Sequence, residues 1–341
     1  MTDRVTGHEP RATVSDYSER ELIARIERHL PPPPAWIPVG IGDDAAVVVP
    51  ERNQLEVLTV DALVEGVHFD RRFTPPAAIG HRALAVNLSD LAAMGAAPRL
   101  CLLSLALPPA WPVHDFDAMI GGFTGLAARH RVHVAGGNLT KSPGPLLVDV
   151  TVAGNVKRRQ TLTRAGARPG DELYVTGSLG AAAAGLLMLR ADAAARTSGP
   201  CTRRFLFPEP RVQTGKLLGR NRAASACVDL SDGLADGVRQ LAERSGVGAI
   251  IDADALPIET EARAWFEAHG DDPTMASVTG GDDYELLFTV RPQTRGRLRP
   301  AISRGGAELT RIGVCTAAPA LVLRGAQHGD RPLPAGYSHF R

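Results

Sequence analysis

Apolar and polar positions along the chain alternate between a helical and a strand period, and the switches between the two outline its elements. Ser18 followed three places on by Glu21 forms a capping box, and Leu22, Ile23, Ile26 and Leu30 recur behind it at helical spacing until the prolines at 31–34 stop the run. The pattern then predicts strands over 45–49 and 55–60 around a turn at 50–53, an alanine-rich helix over 77–94 closed by Gly95, and a continuous apolar strand over 100–107. Phe116, Met119, Ile120, Phe123 and Leu126 share one face of a further helix, and strands over 132–135 and 146–152 complete this half.

The periodic pattern breaks over 155–170, at Lys157-Arg158-Arg159 and again at Ala165-Gly166-Ala167-Arg168-Pro169-Gly170. A second half is predicted beyond it, with strands over 172–176, 249–252, 285–290, 309–314 and 321–323 and helices over 181–189, 212–224, 234–245, 259–268 and near 294–303. Residues 191–203 read as a polar loop. The expected organisation is a disordered polar tail over 1–17, an N-terminal domain over 18–156 and a C-terminal domain over 157–341. Helices and strands mix throughout, so the class is α/β.

Composition narrows this picture without redrawing it. The chain has 341 residues, a formal net charge of +1 and 5% aromatic residues, so neither a bulk field for nucleic acid or an anionic membrane nor a base-stacking surface is expected. Any anion must be bound locally. Cys101, Cys201, Cys227 and Cys315 are scattered without a metal-binding spacing and read as reduced core thiols. No apolar run approaches the roughly 20 residues that a membrane span needs, and a cytoplasmic protein is expected.

The candidate chemistry lies in carboxylates at the ends of apolar segments. Asp43 and Asp44 stand between a glycine turn and the predicted strand at 45–49, Asp61 follows the apolar run 55–60, and Asp90, Asp229 and Asp232 sit at comparable edges. Each alone is also an ordinary turn or cap residue. Acids that converge repel one another, so convergence calls for bound cations, and oxygen ligands suit Mg²⁺. Familiar nucleotide signatures fail here. Gly40-Ile41-Gly42-Asp43-Asp44-Ala45 precedes a strand instead of following one, Gly136-Gly137-Asn138-Leu139-Thr140-Lys141-Ser142 lacks the second glycine of a P-loop, and Ser231 lacks the glycine before a nucleophile elbow. What remains is backbone NH groups at glycine turns such as Gly136-Gly137, acids that hold Mg²⁺, and single basic side chains such as Arg164 and His68. For each of these a plain turn, a surface arginine or a structural histidine is the alternative.

Taken together, Gly-Ile-Gly-Asp-Asp-Ala-Ala at 40–46, Val-Asp-Ala-Leu-Val-Glu-Gly-Val-His-Phe at 60–69 and Ala-Val-Asn-Leu-Ser-Asp-Leu-Ala-Ala-Met-Gly-Ala-Ala-Pro at 85–98 resemble the thiamine-monophosphate kinase family. So do Leu-Thr-Arg-Ala-Gly-Ala-Arg-Pro-Gly-Asp at 162–171, Val-Asp-Leu-Ser-Asp-Gly-Leu at 228–234, Gly-Gly-Asp-Asp-Tyr-Glu-Leu-Leu-Phe at 280–288 and Gly-Tyr-Ser-His-Phe at 336–340. The acidic pieces by themselves indicate only the wider superfamily of aminoimidazole ribonucleotide synthetase and selenophosphate synthetase.

The resemblance implies a two-domain subunit with an N-terminal mixed sheet that forms a barrel across a homodimer, a C-terminal α/β sandwich, and substrates in the cleft between domains. It implies Mg²⁺ ligation by Asp44, Thr59, Asp61, Asp90, Asn138, Asp229 and Asp232, with Val60 able to offer only its backbone carbonyl. Gly137, Asn138, Arg164 and Ser231 would contact ATP; His68, Asp282 and Tyr337 would contact thiamine monophosphate. It further implies direct in-line transfer of the γ-phosphoryl of ATP to the phosphate of thiamine monophosphate, with no protein base, since the acceptor is already an anion.

Two positions depart from the family pattern. Asn138 stands where the family usually has Asp, a neutral oxygen in place of an anionic one, and Asp282 stands where it usually has Glu. Two rival readings remain open: another ATP-dependent enzyme of the superfamily, and a metal-loaded scaffold without activity.

Overall fold

The computed structural model describes residues 12–192, 199–326 and 329–336. Most of the expected tail, residues 1–11, lies outside them. From Ala12 the chain is packed: a 3₁₀ turn over Val14–Asp16 buries Val14 against the first domain. Helix α1 (Glu19–Glu27) starts on the Ser18–Glu21 capping box and turns Leu22 and Ile26 inward.

The strand expected over 45–49 does not form. The segment touches its surroundings through a bridge between Val39 and Val47 and a hydrogen bond from Val49 N to the Trp36 carbonyl, and Val47 and Val49 stay half exposed. A run of β-branched residues needs a neighbouring edge to become a strand, and here it finds a single residue pair.

The first sheet holds β1 (Leu55–Val64), β2 (Ala97–Leu107), β3 (His133–Lys141) and β4 (Leu147–Val156) in the order β1-β4-β2-β3, with β2 and β3 parallel and the other pairs antiparallel. Helices α2 (Pro76–Ala93) and α3 (Val113–His130) pack together on one face of it. They cross at near backbone contact: a Cβ on Gly80 would lie 1.9 Å from the Met119 carbonyl oxygen, and one on Gly122 would lie 2.0 Å from that of Ala77. α2 is buried at every position from Ala78 to Ser89.

The second unit is built on a seven-stranded mixed sheet formed by β5 (Glu172–Thr176), β6 (Ala226–Asp229), β7 (Gly248–Asp252), β8 (Leu286–Val290), β9 (Leu309–Thr316), β10 (Leu321–Gly325) and β11 (Gly329–Pro332). Their order is β11-β10-β7-β9-β5-β8-β6. Around it lie α4 (Ala181–Ala191), α5 (Pro200–Leu206), α6 (Val212–Arg220), α7 (Leu234–Ser245), α8 (Thr260–Ala268), α9 (Pro273–Thr279) and α10 (Arg299–Arg304). α5 begins inside the stretch expected to be loop, with Pro200 in its first turn. The halves share a core: Val212, Leu218, Phe288 and Val290 of the second belong to the same apolar cluster as Leu84, Leu88 and Phe123 of the first. α2 is the element between them, in contact with β1, β4, α6 and β6.

Candidate active site

Three elements deliver the central acids. β1 carries Thr59 and Asp61, α2 carries Asp90 near its C-terminal end, and β6 ends on Asp229. Asp61 lies within β1 opposite Val150, because the strand runs four residues past the expected end, to Val64 instead of residue 60. Thr59 Oγ1 donates a short hydrogen bond to Asp90, and Ser89 Oγ donates to Asp229 Oδ2 at 2.7 Å.

These carboxyls resist ionisation. Burial, followed by the Asp90 charge, pushes Asp61 up to about 6, and Asp61 in its protonated form shares a hydrogen bond with Asp90. Asp229 is pushed up to about 7 by burial and then by Asp90, against the Ser89 hydrogen bond and the Arg164 cation. Burial raises Asp90 as well, opposed by Thr59, Arg164 and Asp61 in that order. Such a group is short of positive charge. Asp44 does not join it; it is exposed in a turn, where its N–H donates to Asp43 Oδ1 at 2.9 Å. Among the described residues no three Asp, Glu, His or Cys side chains lie close enough to hold a metal ion between them.

A cleft of about 1080 Å³ opens beside the acids, walled by Asp61, His68, Arg82, Ser231, Asp232 and Asp282 among others. His68 Nδ1 accepts from the Val64 N–H at 3.0 Å, which fixes the tautomer with the proton on Nε2 when the ring is neutral. Asp282 and Tyr284 both have left-handed backbone, with φ of 68° and 50°. Each such residue costs about 1–3 kcal/mol, and both stand on the cleft wall. Between them Asp283 turns inward, where its carboxylate accepts from the N–H groups of Gly180 and Ala182 at 2.7 and 3.0 Å, at the start of α4. That buried anchor holds the strained pair in place. Asp282 Oδ1 accepts from Arg82 Nη2 at 3.2 Å and from the Tyr284 hydroxyl at 3.1 Å. Arg82 itself is buried; it lies over the Phe205 ring and donates to the Phe205 carbonyl.

The remaining expected residues are more dispersed. Gly136 and Gly137 form no turn, since β3 continues through them to Lys141. Gly137 faces Leu103 of β2, whose carbonyl oxygen would lie 1.9 Å from an added Cβ, so the strand pairing itself requires glycine there. Asn138 follows it, exposed and opposite Ser104, and neither lines the cleft. Arg164 is exposed, but its charge reaches Asp90 and Asp229. Ser231 Oγ lies 3.4 Å from Asp232 Oδ2, and its carbonyl accepts from the Asp282 N–H at 2.7 Å. Val60 points its side chain to solvent. Tyr337 lies outside the described residues. Arg82, Ser89, Asp283 and Tyr284 were not singled out beforehand. The Gly280-Gly281-Asp282-Asp283-Tyr284 run marks two of them, whereas Arg82 has no local signal, 200 positions before its partner.

The fold and this cleft define a class, that of the AIR synthase related proteins: the N-terminal domain family of that name matches residues 42–156 and its C-terminal domain family residues 168–325. Within the class, the chain is 35% identical to the thiamine-monophosphate kinase of Bacillus subtilis (strain 168) over 317 residues, 89% of this chain and 94% of the relative. The crystal structure of thiamine-monophosphate kinase from Stenotrophomonas maltophilia K279a superimposes with a TM-score of 0.81 at 39% identity, covering 90% of this chain and 96% of that one. The structure of AaThiL complexed with AMPPCP and TMP superimposes with a TM-score of 0.74 at 31% identity, over 98% of this chain and all of the other. The chain belongs to the thiamine-monophosphate kinase family.

Proposed function

We propose that this chain transfers the γ-phosphoryl group of ATP to the phosphate of thiamine monophosphate, giving thiamine diphosphate and ADP. The observation that carries this is the single cleft that sets His68, Ser231, Asp232 and Asp282 beside the undercompensated acids Asp61, Asp90 and Asp229. An in-line transfer between two polyanions needs positioning and charge neutralisation more than proton removal.

Asp61, Asp90 and Asp229, with the Thr59 hydroxyl, are hard oxygen donors short of positive charge, and that fits Mg²⁺. This ion characteristically takes one or two carboxylates and fills its octahedron with water and substrate phosphate, so three converging side chains are not required. Asp232 extends the same set; Asp44 in the exposed turn, Asn138 on β3 and the Val60 carbonyl on β1 are further candidates. When bound, Mg²⁺ neutralises charge on the phosphates. Arg164 contributes a planar fork toward the nucleotide phosphates, and Ser231 offers a hydroxyl from the cleft wall. Gly137 and Asn138 serve the nucleotide from β3. His68, with its Nε2 proton, and Asp282, fixed by Arg82 and Tyr284, orient thiamine monophosphate, with Tyr337 added from the C-terminal end.

A homodimer belongs to the same reading. Leu58 and Val60 are 67% and 59% exposed on β1 and Leu102 is 41% exposed on β2, an apolar sheet surface that a second copy would cover. No described helix is long and apolar enough to cross a membrane, and a cytoplasmic site of action follows from the use of ATP.

The deciding assay measures ADP release from ATP with and without thiamine monophosphate. Release that depends on thiamine monophosphate and yields thiamine diphosphate is expected. Release that ignores it would point to another chemistry in the superfamily, and no release at all to a scaffold.

A further inference from the structure

A second cavity, of about 350 Å³, lies away from the acid cleft, where the segment between the two units meets the second one. Arg159, Arg222, Arg291 and Arg297 line it, and no acidic residue does. Among the described residues none of these four forms an ion pair. The contrast is local: Arg295, two positions from Arg297, pairs with Glu172. Arg297 Nη1 donates instead to the carbonyl of Arg222, a residue held at φ 48°.

Thr161 is another lining residue, and its hydroxyl is buried without a hydrogen-bond partner. A buried hydroxyl left unsatisfied is costly, so this one calls for a partner. The Ser225 hydroxyl on the same wall is already engaged, donating to Asp171 Oδ2 at 2.7 Å.

Four arginines, all solvent-exposed, line one small cavity with no carboxylate among its lining, and the planar fork of arginine matches the oxygen spacing of phosphate. The volume suits a small oxyanion. We propose that this cavity binds a small, multiply charged phosphate-type anion, inorganic phosphate or pyrophosphate, held by Arg159, Arg222, Arg291 and Arg297 with the Thr161 hydroxyl as a further donor. The anion ties the segment at 159–162, which ends two residues before Arg164, to the second unit. The proposal stands apart from the kinase reading, because its measurement needs no turnover.

The test titrates the nucleotide-free, full-length protein with sodium pyrophosphate, and separately with inorganic phosphate, by calorimetry at an ionic strength held constant with NaCl. One saturable site per chain is expected. The R222E/R297E protein should bind at least about tenfold more weakly, because two attractive charges become repulsive. Thr161→Val, which keeps every charge and nearly the same volume, should weaken binding by roughly three- to tenfold, the value of one hydrogen bond to a charged group. Arg164→Ala should leave binding as it was. Tighter binding of pyrophosphate than of phosphate would assign two phosphoryl groups to the cavity, and equal binding one. Absence of saturable heat with both anions would overturn the proposal, as would binding untouched in both R222E/R297E and Thr161→Val, or binding lost in Arg164→Ala, which would put the anion in the acid cleft.

Discussion

One buried acid and one cluster of partly to fully buried acids in this molecule have opposite surroundings. Glu285, fully buried, accepts from the Thr176 hydroxyl and from Arg204 and Arg211, the latter at 2.6 and 2.5 Å through both ends of its fork. Asp61, Asp90 and Asp229 have each other, two hydroxyls and the more distant charge of Arg164. A compensated buried acid is part of the architecture, while an uncompensated one is kept for something that arrives from outside.

The sharpest way to break the comparison is to truncate the compensated member. Glu285→Ala leaves Arg204 and Arg211 largely buried without a counter-charge, and unfolding by urea should show a loss of about 3–5 kcal/mol. A loss below about 1 kcal/mol would mean that the arginines find other partners. Asp90→Asn should do the reverse: turnover falls by at least about a hundredfold, roughly 2.7 kcal/mol in the barrier, while the ion-free protein is no less stable, since a repelling charge is gone. Equal damage to fold and rate would place Asp90 in the structural class with Glu285.

The smallest effect is a slope. Asp61 and Asp229 titrate at about 6 and 7 in the folded chain, above the ~3.9 of an unfolded aspartate, so the folded state binds more protons. Their contribution to stability is therefore complete below about pH 4 and is lost as pH rises through 6 to 7. Without metal, urea midpoints should fall across this window, and Asp229→Asn should flatten the fall. An unchanged slope in the variant would count against Asp229 as its source.

The local half of the fold was legible. The capping box at Ser18, the apolar face of α3 and the strand β5 follow from neighbours within a few residues. The run at 45–49 misled because β propensity reports only the wish to pair, and Gly136-Gly137 misled because glycine serves close strand contact as readily as a turn. In the site, the acids themselves were legible as residue types at element ends. What was not legible is compensation: Arg82 with Asp282 and Arg211 with Glu285 are paired across 200 and 74 positions, and no local pattern distinguishes a paired carboxylate from a bare one.

Arg82 and Asp90 ride on the same helix, α2, one reaching Asp282 on the cleft wall and the other the group of bare acids. Eight residues of α-helix rise about 12 Å, and the backbone contacts at Gly80 and Gly122 lock that helix against its neighbour. α2 is thus a ruler. Inserting one residue between its two marks would swing Asp90 through roughly 100° and move it by 1.5 Å, so the span from the substrate-orienting end to the phosphate end is counted in helical residues and cannot be adjusted by loops.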